Sequence, residues 1–240
     1  MPLTGTLINA ATVLAGTVVG TLLGARLPER IRETVMHALG LLTLVVGVDG
    51  ALAAFRPPLS ELTRASAVVV LGSVLVGGIL GELLGIEDGL ERLGEALRRR
   101  VGRSQARFTE GFVTASLVFC VGPMTILGSI RDGLTGDYQL LAIKSLLDGF
   151  AAVAFASALG WGVGCSVVTI LLYQGGLSLA AASVAGAFTE VTVAAITAVG
   201  GVLILGIALR LLELRTIRVA NLLPALVVAP VAFAAVRIVA

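Results

Sequence analysis

The chain has 240 residues, 57% of them hydrophobic and only 13% charged, with a mean hydropathy of +1.03. A soluble domain carries about a quarter charged residues, so this composition excludes a water-soluble globule and points to a polytopic membrane protein forming a single transmembrane domain over 1–240. A net charge of +2 excludes a basic nucleic-acid surface, and two cysteines with one histidine supply neither a disulfide framework nor a histidine-based metal site.

Charge-free runs cover 1–25, 34–48, 65–81, 111–130, 149–189, 191–209 and 219–236. A crossing helix needs about 20 apolar residues, and the run from Gly149 to Thr189 is long enough for two, with Gly160, Gly162 and Gly164 available for a turn. The spacing therefore predicts an all-α bundle of about eight spans, at 3–25, 34–54, 65–86, 109–130, 139–162, 165–185, 187–210 and 219–238; leaving the long run undivided gives seven. The first basic residue, Arg26, follows the first apolar run, so that run reads as a span and not as a signal peptide. With the N-terminus outside, the inward loops hold Arg26, Arg30 and Arg32, then Arg92, Arg98, Arg99, Arg100, Arg103 and Arg107, then Arg210, Arg215 and Arg218. These are twelve of the seventeen basic residues. This charge bias favours both termini outside and an even span count.

In span one, Gly16, Gly20 and Gly24 form a stripe of small residues that lets another helix approach closely. Span three repeats the pattern at Ser73, Gly77, Gly81 and Gly85, and TVVGTLLGARL at 17–27 matches VLVGGILGELL at 74–84, which suggests an internal repeat or the low complexity of such chains. Between spans three and four, Ile86, Leu90, Leu93, Leu97 and Val101 share one helical face. Segment 87–107 is read either as an amphipathic helix on the anionic leaflet or as a solvated continuation of span three. Span four is interrupted at Gly122 and Pro123, and span six at Gly175 and Gly176 beside Gln174. Each break is either a discontinuous helix of the kind that exposes backbone dipoles to a substrate or an ordinary kink or interhelical contact. Asn221, at the start of span eight, is expected to cap its own helix.

Placing a charge in a bilayer costs roughly 3 kcal/mol on insertion scales, so each ionisable residue at membrane depth is a candidate for function. Asp49 lies near the end of span two, Lys144 and Asp148 sit one turn apart in span five, and Glu190 opens span seven. With Asn9 of span one, all fall in the outer half, where their convergence would make a polar vestibule or ion site. Carboxylates there offer hard oxygen ligands. Lys144 and Asp148 also read as a pair that neutralises itself, and Asp49 as interfacial. No nucleophile motif accompanies His37, and no P-loop, G-x-G-x-x-G or H-E-x-x-H string is present. No enzymatic activity and no cofactor are expected, and no metal is assigned.

The strings GTLINAATVLAGTVVGTLLG at 5–24, LPERIRETVMHALGLLTLVVG at 27–47, EGFVTASLVFCVGPMTILGSIRDGLTGD at 110–137, KSLLDGFAAVAFASALGWGV at 144–163 and GVLILGIALRLLELRTIRVANLLPAL at 201–226 resemble the bacterial membrane family catalogued as domain of unknown function 554, the YdfK/YqgA-like proteins. That resemblance implies a bacterial inner-membrane protein and names no substrate. LLDGFAAVAFASALGWGV is also distantly similar to the LysE-type small exporters, which implies a cation ligand at Asp148, although Lys144 stands where a cation would bind. Two functions follow as expectations. One is a transporter or channel for a small ion or solute through the outer-half polar site. The other is a non-transport membrane scaffold or sensor that forms a homodimer through its Gly stripes. The expected partners are the lipid bilayer, a small ion or solute and a second copy of the chain, without nucleic acid.

Overall fold

The computed structural model describes residues 3–26, 28–101 and 107–239. Among them there is no strand. The α-helices are α1 Thr4–Gly24, α2 Glu29–Ala51, α3 Leu59–Leu62, α4 Ser66–Leu84, α5 Ile86–Val101, α6 Phe108–Cys120, α7 Pro123–Thr135, α8 Gln139–Leu159, α9 Gly162–Cys165, α10 Val167–Leu179, α11 Ala181–Val184, α12 Glu190–Leu211 and α13 Ala225–Val239. Residues 102–106 of the expected amphipathic segment lie outside the described residues. Helix ends follow local chemistry. Gly85, Gly136 and Gly160 take positive φ beyond α4, α7 and α8, where glycine meets no Cβ penalty. Pro123 starts α7, where its missing N–H is not needed, and the Thr189 hydroxyl caps α12 by accepting from the Thr192 N–H.

Seven helices are long and apolar enough to cross a membrane: Thr4–Gly24, Glu29–Leu62, Ser66–Leu84, Gln139–Leu159, Gly162–Leu179, Glu190–Leu211 and Val219–Arg237. α6 and α7 pass the same test only as a pair, bent by 64° at the Gly122 break. The long run from Gly149 is divided at Gly160, as its glycines suggest. By contrast, α10 runs unbroken through Gly175 and Gly176, so the break expected there is absent. A helix tolerates an interior glycine at about 1 kcal/mol each, and Gly175 provides room for Leu3 and Thr6 of the neighbouring α1 turn.

The chain divides into two compact units, residues 1–39 with 91–185 and residues 40–90 with 186–240. In the first, α1 lies along α8. A Cβ at Gly16 would strike the backbone of Gly149, one at Gly20 that of Val153, and one at Gly24 that of Ser157. The register advances together on both helices, so α1 and α8 run parallel. α6, α7, α9 and α10 complete this unit, with Gly162 against the Phe108 backbone, Gly133 against that of Ser178, and Phe119 edge-on to Phe155 at 6.2 Å. α5 enters this unit at Glu91, and Gly94 seats it on Thr109 and Phe112. On its surface Glu95 accepts from Arg98 at 2.6 Å and lies 3.6 Å from Arg99; the Arg98 hydrogen bond holds the Glu95 carboxyl below the usual range.

In the second unit, the end of α2 meets α12, Gly47 against Leu205 and Gly50 against Gly201. α4 packs on α13 with Gly77 at Ala225 and Gly81 at Asn221, a register that runs backward and makes this pair antiparallel. Gly85 does not extend the stripe; it ends α4 in the left-handed conformation and meets only Asp88 Oδ2 at 3.9 Å. The matching Gly strings thus serve the same close approach against partners of opposite direction. Both stripes are filled by contacts within the chain. A polar latch closes the turn before α13. Asn221 Oδ1 accepts from the Glu87 N–H at 2.7 Å, and Asn221 Nδ2 donates to Glu82. Buried Glu87 accepts from Arg210 at 3.1 Å and from the Ala220 N–H at 2.7 Å. Asn221 therefore caps α5 and not its own helix, because the turn Val219–Leu222 packs beside the α4–α5 corner.

The parallel α1–α8 pair is consistent with the higher count. Two membrane-spanning helices of one chain run the same way only when an odd number of crossings separates them. With α2 and α4 as two such crossings, the bent α6–α7 pair is the third, the upper figure of seven to eight candidate spans. Two outcomes are expected. Gly20→Leu, forced against the Val153 backbone, should lower stability by about 3 kcal/mol, whereas Gly176→Ala, with no atom within 4 Å of its added Cβ, should raise stability by up to ~1 kcal/mol; thermal unfolding in detergent reads both. Removing one partner of a buried ion pair costs roughly 3–5 kcal/mol, so Glu87→Ala should speed hydrogen exchange over 86–90 by orders of magnitude, and unchanged protection there would refute the latch.

Candidate polar site in the first unit

Four of the sequence-selected residues meet in the first unit. On α1, Thr6 and Asn9 lie one turn apart, both buried, on the face that Gly16 continues. On α8, Lys144 and Asp148 are also one turn apart. Gln174 enters from α10 with no solvent exposure. Asp148 Oδ2 accepts from Lys144 Nζ, and it accepts from Asn9 Nδ2 at 3.0 Å. Asn9 Nδ2 gives its second hydrogen to Gln174 Oε1 at 3.0 Å, and Gln174 Nε2 donates to Thr6 Oγ1 at 3.2 Å. Each amide presents its NH₂ where an acceptor waits; a flipped Asn9 would set its oxygen against a carboxylate oxygen.

The satisfied bonds leave one buried acceptor over. Asn9 Oδ1 has no partner, although buried polar atoms are nearly always paired and an orphan costs about 1–3 kcal/mol. Access is narrow, with the Lys144 and Asp148 side chains 8% and 12% exposed, so the pair is neither sealed nor solvated. Cys120 ends α6 at the break and lies within electrostatic reach of both Lys144 and Asp148, which brings the broken span to the site's edge.

A second buried carboxylate was not marked by the sequence reading. Asp132 on α7 has no exposure and faces the first turn of α1, near the Leu3 and Gly5 N–H groups, without an aligned hydrogen bond. Ser178 Oγ, on α10 one turn beyond Gln174, is also buried and unpartnered. The available signal was the Ser129, Asp132 and Gly133 spacing, one polar and small face on the half-helix after Pro123.

The remaining candidates lie elsewhere. Asp49, in the second unit, pairs with Arg56 at 3.0 Å with both side chains more than half exposed. Glu190, also in the second unit, is exposed in the first turn of α12, where a negative charge suits the helix dipole. Gly122 is extended between α6 and α7, and Gly175 and Gly176 sit inside α10. Among the described residues, no three His, Cys, Asp or Glu side chains gather in a way that could hold a metal ion.

The family of proteins of unknown function DUF554 matches residues 4–234. An uncharacterised membrane protein of Bacillus subtilis strain 168, YdfK, is 29% identical over 227 residues, covering 95% of this chain and 94% of its own. An uncharacterised protein of Escherichia coli K12, YqgA, is 34% identical over 230 residues, covering 94% of each. No solved structure matches. With a family match over nearly its whole length and seven to eight segments long and apolar enough to cross a membrane, the chain belongs to the DUF554 family of membrane proteins.

Proposed function

We propose that this membrane protein carries a small ion or solute across a bacterial inner membrane, through the polar site of the first unit. The observation that carries this reading is the Lys144–Asp148 pair, held at membrane depth by Asn9 and Gln174 with one acceptor left open. A packed apolar core would be no less stable than a buried ion pair, which makes such a pair weak evidence for stability and a default marker of a transport path in a membrane. The site also stands where one span is broken, and a broken helix beside buried charges is the arrangement by which transporters bind substrate near the midplane.

Asp148 is the binding group, with Asn9 and Gln174 as polar neighbours that orient it. Alternating access at Asp148, with movement about the Gly122 break, is the mechanism that fits. The charge bias of the loops favours both termini outside, an orientation in which Asn9 and Asp148 would lie in the outer half. For the scaffold reading, the Gly stripes are already used within the chain, so it would have to rest on α5 alone.

The test is flux through purified protein in liposomes, scanned over sodium, potassium, magnesium, chloride and small neutral solutes. Wild type should move at least one of them, and Asp148→Asn should reduce that flux at least tenfold, while Asp49→Asn should leave it within twofold. A chain that moves none of them, or an Asp148→Asn protein with full flux, overturns the proposal. Lys144→Met with Asp148→Leu should fold better than either single change, because a lone buried charge is worse than none. Unfolding in detergent measures that order.

A further inference from the structure

We infer that the species this site passes is an uncharged small molecule, recognised by the N–H or O–H hydrogens it donates. This rests on the transport reading above and specifies its substrate class. Asp148 Oδ2 already holds the Lys144 ammonium, so a cation arriving at the carboxylate meets a positive charge beside it, and an anion arriving at the ammonium meets a negative one. Either ion adds a net charge to a pair that sums to zero, with the two side chains only 8% and 12% exposed. Low dielectric makes an uncompensated charge there costly. A neutral molecule adds none and leaves the pair in place.

What the site offers a newcomer is acceptors. Asn9 gives away both hydrogens of its amide, to Asp148 Oδ2 and to Gln174 Oε1, each at 3.0 Å, while its own Oδ1 is buried without a partner. The bonds that Asp148 accepts from Lys144 and Asn9 both fall on Oδ2, so Oδ1 takes neither. One oxygen of each group therefore flanks the bond that joins α1 to α8, and a bound molecule completes them only by donating. Gln174 and Thr6 close the same shell with neutral groups bonded to each other at 3.2 Å. The same offer recurs toward the start of α1. Ser178 Oγ, one turn beyond Gln174 on α10, is buried and unpartnered, and both Asp132 oxygens are buried without an aligned bond. The Asp132 carboxylate faces the Leu3 and Gly5 N–H groups, the positive end of α1, so its charge is answered by a helix end and its oxygens remain acceptors. Asp132, Ser178 and Asn9 thus give a donor three places to bond along the faces of α7, α10 and α1, where buried polar atoms are otherwise paired.

The experiment measures permeation into proteoliposomes of the purified chain, by light scattering for water, urea, acetamide and glycerol and by ion-sensitive dyes for sodium, potassium, magnesium and chloride, each against protein-free vesicles. Expected for wild type is that at least one neutral probe crosses at least tenfold faster than without protein, while every ion stays within twofold of the protein-free rate. Ser178→Ala removes a hydroxyl that has no partner in the folded chain, so it should leave thermal unfolding in detergent unchanged and still slow the neutral flux at least threefold, a loss that a purely structural role would not give. Asn9→Leu should slow it at least tenfold. Flux of any ion above the twofold margin, or a neutral flux untouched by both substitutions, overturns this inference and leaves the transport reading standing; no movement of any probe removes that reading itself. The wild-type selectivity decides the substrate class even where a variant fails to accumulate.

Discussion

Lipid gives two helices no hydrophobic reason to meet, so the approach of α1 and α8 is set by van der Waals contact along Gly16, Gly20 and Gly24. That contact exists because each glycine lets its Cα rest on the opposing backbone at Gly149, Val153 and Ser157. Everything polar in the first unit depends on this approach. Asn9 lies two turns before Gly16, so the separation of the helices there is set by the glycine contact, and only at that separation does an asparagine side chain reach Asp148 Oδ2 at 3.0 Å. Thicker side chains in the stripe would part the helices and leave the Asp148 carboxylate with Lys144 alone. The parallel register of the same pair also agrees with bent α6–α7 counting as one broken span.

The polar cluster is balanced in charge but not in hydrogen bonding. A hydrogen bond to an ionised group contributes about 1.5–3 kcal/mol, so Asn9 and Lys144 together offset a substantial part of the cost of holding Asp148 away from water. Those bonds do not complete the site, because Asn9 spends both hydrogens and its oxygen gains nothing in return. Asp132, near the Leu3 and Gly5 N–H groups, and Ser178 of α10 add further buried oxygens without an aligned hydrogen bond. Natural interiors retain such atoms where a bound species or water completes them. Their concentration along the faces of α1, α7 and α10 gives the first unit a chemistry that its packing does not require.

Much of this was legible in the sequence, because hydropathy and loop charge constrain a membrane chain strongly. The eight predicted spans match the seven continuous helices and the broken one, and Gly160 divides the long apolar run. Lys144 and Asp148 were visible as charges in an apolar helix one turn apart, and Asn9 as a polar residue on the glycine face. What was not legible required partners distant in sequence. Asp132 reads as an ordinary loop-end charge beside Arg131 until α1 is seen to cover it. Glu190 and Asp49 look equivalent to Asp148 by hydropathy, yet one rests at a helix N-terminus and the other pairs with Arg56 at the surface. Gly175 and Gly176 carry the same local signal as Gly122, but the backbone breaks only at Gly122, which lies next to a proline that cannot donate a helical hydrogen bond. Asn221 looked like a local cap and instead caps a helix more than a hundred residues earlier in the chain.

The two units use polar groups in opposite ways, and the contrast supports the transport proposal. In the second unit Glu82, Glu87, Arg210, Arg218 and Asn221 gather at helix ends. There each carboxylate has a guanidinium, and the Glu87 and Asn221 acceptors answer backbone N–H groups left free by a helix start or a turn. Every one of those bonds does a task the fold itself sets, which is to fix the α4–α5 corner on the turn before α13. In the first unit the polar residues sit in mid-helix, where the backbone is already satisfied and asks for nothing. Asn9, Gln174, Lys144 and Asp148 bond only to side chains, and together they still leave an acceptor open. A cluster that serves no helix end and remains incomplete in the folded chain is the feature on which the transport proposal rests.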